Sequence, residues 1–179
     1  MDRFTILIEA GKVIVLYRST LVSRIGRFEV SHPQSVLLVA NRTADTDRLR
    51  QAVRDRADKG TTRFHLLVPA VPSGLHRVVD PEVAGREEAH TRLGAALPHL
   101  SKAAGFMVGG EVGSADPMAA IQDTLARESF DEIVISTLPR RVSRWLHVDL
   151  PSKATGLGLP VSHLEAETVP DEDPALAVR

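Results

Sequence analysis

The sequence predicts an α/β fold: an open doubly wound five-stranded parallel sheet with helices on both faces, plus an N-terminal β-hairpin extension. Three observations predict it. From residue 35 onward, short apolar runs alternate with stretches of helical spacing. The runs are continuously apolar rather than alternating, the pattern of strands buried on both faces. A helix-length segment separates most neighbouring runs, which is what parallel strands require of their connections.

Phe4 to Ile8 and Val13 to Tyr17 flank Glu9-Ala10-Gly11-Lys12 and read as a hairpin. Phe28-Glu29-Val30 is a candidate third short strand, and Ser31-His32-Pro33-Gln34 a joint. Val36 to Ala40 is the first buried strand. Thr43-Ala44-Asp45-Thr46-Asp47 offers several N-caps for a helix carrying Leu49, Ala52, Val53 and Ala57, which Lys59-Gly60 closes. Phe64 to Val71 is the second strand, broken by Pro72-Ser73-Gly74. Asp80-Pro81-Glu82 reads as cap, first-turn proline and first-turn acid. The buried stripe of that helix is Ala89, Leu93, Ala96, Leu97 and Leu100, with Pro98 expected to kink or divide it and Gly105 to end it. Phe106 to Val112 is the third strand, and the glycines of Gly109-Gly110-Glu111-Val112-Gly113 are read as close backbone packing at its end. Asp116-Pro117 starts a helix with Met118, Ile121 and Leu125 on one face. Ile133 to Ile135 is the fourth strand and Val161 to Leu164 the fifth. The expected organisation is a hairpin extension over residues 1–34, an α/β domain over 35–165 and a disordered acidic tail over 166–179.

Composition narrows the function classes. The chain has 179 residues, 22 basic and 23 acidic, for a net charge of −1. No strongly basic surface results, so no nucleic acid is expected as partner. There are no cysteines, which excludes disulfides, thiolate metal sites and cysteine nucleophiles. The longest apolar runs are far too short to cross a membrane. Met1-Asp2-Arg3-Phe4 lacks the long apolar region of a signal peptide, and the expected localisation is cytoplasmic.

Three places resemble the universal stress protein family. Val36-Leu37-Leu38-Val39-Ala40-Asn41 is similar to the family's first strand and the short polar residue that ends it. Asp131-Glu132-Ile133-Val134-Ile135-Ser136-Thr137 resembles its penultimate strand, and Gly158-Leu159-Pro160-Val161 the opening of its last. The resemblance implies strand order 3-2-1-4-5 and a homodimer. It also implies ATP or another adenine nucleotide as a possible ligand, since some members carry G-x2-G-x9-G-[ST] after the fourth strand. This chain departs from that motif. Between Gly113 and Gly156 there is no glycine, and Pro139 removes a backbone donor. Asn41 stands where nucleotide-binding members have an aspartate.

Pro139 to Arg144 instead holds three arginines, the side chain best suited to bidentate recognition of phosphate or carboxylate. The carboxyl edge between the first and fourth strands is the switch point where such sheets bind ligands. The expected site therefore comprises Asn41, Arg42, Thr43, Val71, Ser136, Thr137, Arg140, Arg141, Ser143 and Arg144, with the base side near Pro69, Ala70 and Val71. The alternative for the arginines is a solvated basic loop or ion pairs to a partner subunit.

Other constellations point elsewhere. Trp145 either covers a base, sits in a dimer contact or packs the loop onto the sheet. His147 and Asp149 are too few for a metal without thiolates. His65 and His163 lie on strands and are read as packed or paired. No Walker loop and no G-x-S-x-G elbow occurs, so no catalytic residues are assigned. The hairpin, marginal alone, points to self-association or to packing within the chain. Three functions remain: a homodimeric binding or regulatory module, a family member acting through protein contacts without a small ligand, and a nucleotide-cleaving enzyme.

Overall fold

The computed structural model describes residues 5–9, 12–16, 33–71, 81–139, 143, 145 and 149–166. Expectations for Phe28-Glu29-Val30, the Pro72-Ser73-Gly74 break, Asp80, His147 and the tail beyond residue 166 lie outside these residues, as do Arg140, Arg141 and Arg144. The chain divides into two units, Met1–His32 and Pro33–Arg179. In the first, β1 (Thr5–Glu9) pairs antiparallel with β2 (Lys12–Leu16), Thr5 opposite Leu16 and Glu9 opposite Lys12. Ile6, Ile8, Val13, Ile14 and Val15 are β-branched, the residue type that extended backbone favours.

The second unit is β3 (Gln34–Val39), α1 (Asp47–Ala57), β4 (Thr62–Pro69), α2 (Pro81–Ala104), β5 (Gly109–Gly113), α3 (Pro117–Arg127), β6 (Glu132–Thr137), α4 (Leu150–Thr155) and β7 (Val161–Glu165). The strands form one five-stranded sheet in the order β5-β4-β3-β6-β7, with every pairing parallel. Counted from β3, that is 3-2-1-4-5.

The apolar strands are buried on both faces because each face carries helices. Val36 and Leu38 of β3, Leu66 and Val68 of β4 and Val134 of β6 pack with Leu49 and Val53 of α1 and Ala89, Ala96 and Leu100 of α2. Leu37, Val39, Leu67, Ile133 and Ile135 face the other way, onto Ile121 of α3, Trp145, and Leu150 and Ala154 of α4. Adjacent strand residues thus feed opposite cores, as a period of two demands. The helix after β3 lies on one face and the chain after β6 on the other, so the winding reverses between those two strands.

Helix starts obey their caps. Thr46, one of several candidates, accepts from the Leu49 amide at 3.4 Å. Asp116 accepts from the Met118 and Ala119 amides at 2.8 and 3.2 Å, with Pro117 in the first turn.

Two expectations need correction. The third strand does not begin at Phe106. Gly105 turns at φ +80°, and Phe106 and Met107 are exposed ahead of β5. Phe106 covers the core from outside, stacked on Phe64 with centroids 6.0 Å apart. The run from Gly109 to Gly113 is therefore the whole strand rather than its end. Close packing is still its reason. A Cβ on Gly110 would sit 2.8 Å from the Leu66 carbonyl and 2.8 Å from Leu93 Cδ1, and one on Gly113 would sit 2.7 Å from Ala120 Cβ. Second, of the two effects expected of Pro98, division does not occur: α2 continues from Pro81 to Ala104. Pro98 lies on the exposed side, so its missing donor costs one solvent-side bond and no core contact.

Candidate functional site

The carboxyl ends of β3 and β6 carry a set of polar groups tied to one another. The β3–α1 loop turns at once, with the Ala44 amide donating to the Asn41 carbonyl at 3.1 Å. That turn buries Thr43, whose Oγ1 donates to the Ser136 carbonyl at 2.8 Å. The bond joins the loop after β3 to the end of β6 across 93 residues of sequence. Ser136 is only 1% exposed, and its Oγ has no hydrogen-bond partner among the described residues. Thr137, also buried, pairs through Oγ1 with His163 Nε2 of β7 at 2.8 Å. Arg42 is exposed on the turn. Beyond β6 the Ser143 amide donates to the Pro139 carbonyl at 3.0 Å, and Ser143 is buried. Trp145 is buried in the core of the second face.

The β3–β4 end is organised by Asn41. Its Nδ2 donates to the Pro69 carbonyl at 2.6 Å, and its Oδ1 accepts from Arg92 Nη1 at 2.8 Å. Both ends of the amide are engaged, the NH2 as donor and the oxygen as acceptor. Asn41 is therefore a clamp holding β3, β4 and α2 in register. The Pro69 carbonyl also accepts from the Val71 amide at 2.8 Å, which places half-buried Val71 at this end. The Ala70 amide is shared between the carbonyls of Gly113 and Ser114, both at 3.2 Å.

The structure thus brings Asn41, Thr43, Val71, Ser136, Thr137 and Ser143 to the carboxyl edge. Two groups there were not singled out from the sequence. Arg92, with its partner Glu88 at 3.0 Å, reaches the strand ends from the middle of α2. His163 was read as packed or paired, but not as the partner of Thr137. The Asn41–Arg92 contact spans 51 residues, and no local motif announces it.

Two partly buried carboxylates elsewhere are held below their ordinary range. Burial pushes Glu111 up, but hydrogen bonds from Thr124 and Arg127 and the charges of Arg127 and His65 push it down further. At the amino edge, burial likewise raises Glu132, while Arg56, Ser162 and Lys59 lower it more. His65 lies against Phe130 with centroids 6.1 Å apart and is 3.9 Å from Glu111. Among the described residues no three acidic or histidine side chains are grouped to hold a metal ion, and no helix is long and apolar enough to cross a membrane.

No family model matches the sequence, and no curated protein matches it. Solved structures do. A universal stress protein in complex with cAMP is 14% identical with a TM-score of 0.48, over 76% of this chain and 98% of that one. A universal stress protein from Archaeoglobus fulgidus in complex with dAMP is 16% identical with a TM-score of 0.43, over 76% and 98%. A universal stress protein family protein from Arabidopsis thaliana with AMP bound is 14% identical with a TM-score of 0.48, over 80% and 99%. By its all-parallel register and its order β5-β4-β3-β6-β7, residues 34–165 form an open five-stranded parallel α/β domain of order 3-2-1-4-5.

Proposed function

We propose that this chain is a binding or regulatory module that holds a nucleotide, or another phosphate-bearing anion, at the carboxyl edge between β3 and β6. One observation carries the reading: the Ser136 hydroxyl is buried without a partner at the switch point, among the described residues. An unsatisfied buried hydroxyl costs about 1–3 kcal/mol, which a ligand oxygen accepting from it would offset. Thr43 holds the floor of that edge by its bond to the Ser136 carbonyl. Ser143, and the arginines that come after Pro139 in sequence, supply further donors for an oxyanion. No chemistry is assigned to the site. The adenine nucleotides bound to the three similar structures name the first probes. The module acts as a homodimer in the cytoplasm, the apolar hairpin contributing to self-association.

The test is titration of the full chain with AMP and with inorganic phosphate, for wild type and for Ser136→Ala. Ser136→Ala removes an unpaired hydroxyl, so its melting temperature should equal or exceed that of wild type while its affinity falls by about tenfold. A lower melting temperature with unchanged affinity refutes the role given to Ser136. Absence of binding by wild type refutes the nucleotide reading and favours a module that works by protein contacts. A monomeric mass by light scattering refutes the dimer.

A further inference from the structure

We infer that Arg92 is the anion-binding cation of this site and that Glu88 competes with the ligand for it. The inference rests on the nucleotide reading above. Arg92 comes from α2, outside the strand ends and loops that carry the other site residues. It nevertheless reaches the carboxyl edge, because Nη1 donates to Asn41 Oδ1 at 2.8 Å. Asn41 is the second residue after β3 and lies two positions before Thr43, which is bonded to the Ser136 carbonyl. The guanidinium is therefore held at the same end of the sheet as the Ser136 hydroxyl, by a buried amide that is itself fixed to the Pro69 carbonyl.

The second arm differs from the first. Arg92 Nη2 donates to Glu88 Oε2 at 3.0 Å, and the two side chains are 25% and 23% exposed. An ion pair of this i, i+4 kind, reached by solvent, is worth at most about fivefold in an equilibrium constant. A phosphate group offers the same nitrogen a stronger charge-assisted bond. So one arm is anchored and the other is exchangeable. An incoming phosphate oxygen takes Nη2 from Glu88 while Nη1 stays on Asn41, and the anchored arm means little side-chain freedom is lost on binding. Glu88 then sets the affinity from below, as a carboxylate that the ligand must displace and that repels its charge.

This makes two opposite predictions for neighbours one helical turn apart. The experiment measures binding of inorganic phosphate and of AMP to the full chain by calorimetry. Arg92→Gln should weaken both by about tenfold or more and flatten the dependence on salt. Glu88→Gln, which leaves the Asn41 clamp intact, should strengthen both by about two- to fivefold. A gain of affinity cannot arise from misfolding, so this variant keeps the inference open to refutation even where Arg92→Gln unfolds. Arg92→Lys, a point donor without the fork, should fall between wild type and Arg92→Gln. If wild type binds and Glu88→Gln binds equally or more weakly, the competition is refuted and the nucleotide site stands. If Arg92→Gln binds as wild type does, Arg92 is a clamp only. If wild type binds neither probe, the site itself is refuted and this inference falls with it.

Discussion

The amino edge of the sheet depends on one partly buried charge node, and Glu132→Gln tests it. Glu132 opens β6. Arg56 Nε of α1 donates to its Oε2 at 2.9 Å, Arg56 Nη2 donates to Oε1, and Ser162 Oγ of β7 donates to Oε1 at 2.6 Å. The carboxylate therefore ties α1 to β6 and β7 at once. Glutamine keeps the volume but loses the charge and one acceptor oxygen. Arg56, 17% exposed, is left with an incomplete partner. The loss is about 1–3 kcal/mol, the range for a hydrogen bond to a charged group that is not fully buried. For a chain of this length each kcal/mol moves the melting temperature by about 2–4 °C.

The same node predicts a pH dependence. Burial raises Glu132, but Arg56, Ser162 and Lys59 lower it more, so its folded value lies below the unfolded one. A depressed carboxylate contributes stability that is complete above the unfolded value, about 4.3, and is lost as pH falls through the folded value. Thermal unfolding followed by circular dichroism at pH 7 should show Glu132→Gln melting lower than wild type. At pH 3 the gap should narrow, because wild type is then losing the same charge. Equal melting temperatures at pH 7, or a gap that does not change with pH, would refute the node as a source of stability.

Two further predictions concern stability elsewhere. Gly113→Ala forces a Cβ to within 2.7 Å of Ala120 Cβ and 2.8 Å of Leu67 Cδ1, and should cost about 1–3 kcal/mol by overpacking. Gly94→Ala meets nothing within 4 Å on a helix and should stabilise by about 0.5–1 kcal/mol. Opposite shifts in the urea midpoint are expected, and shifts of the same sign would refute the packing argument. Asp116→Ala removes the acceptor of two amides at the start of α3 and should cost about 1 kcal/mol. An unchanged midpoint for that variant would mean the cap carries no stability.

What the sequence determined by itself was the local chemistry repeated along the chain. Continuous apolar runs such as Val36 to Ala40 and Ile133 to Ile135 marked buried strands, because only a doubly covered sheet buries every residue of a strand. Thr43, Ser136 and Thr137 were legible as polar residues of the carboxyl edge for the same reason: they are among the first polar residues where those runs end. The glycine run misled about the third strand because glycine has little preference for a strand. Its place in the sheet is decided by Leu66, Leu93 and Ala120, which press against it from β4, α2 and α3. Only the tertiary structure decided what Asn41 does. Its two bonds reach 28 and 51 residues away, to a strand end and to a helix whose rotational phase exists only once packed. Arg92 was illegible on the same ground. A helix arginine with a glutamate four residues before it looks like any solvated pair until the fold brings a buried amide to its tip.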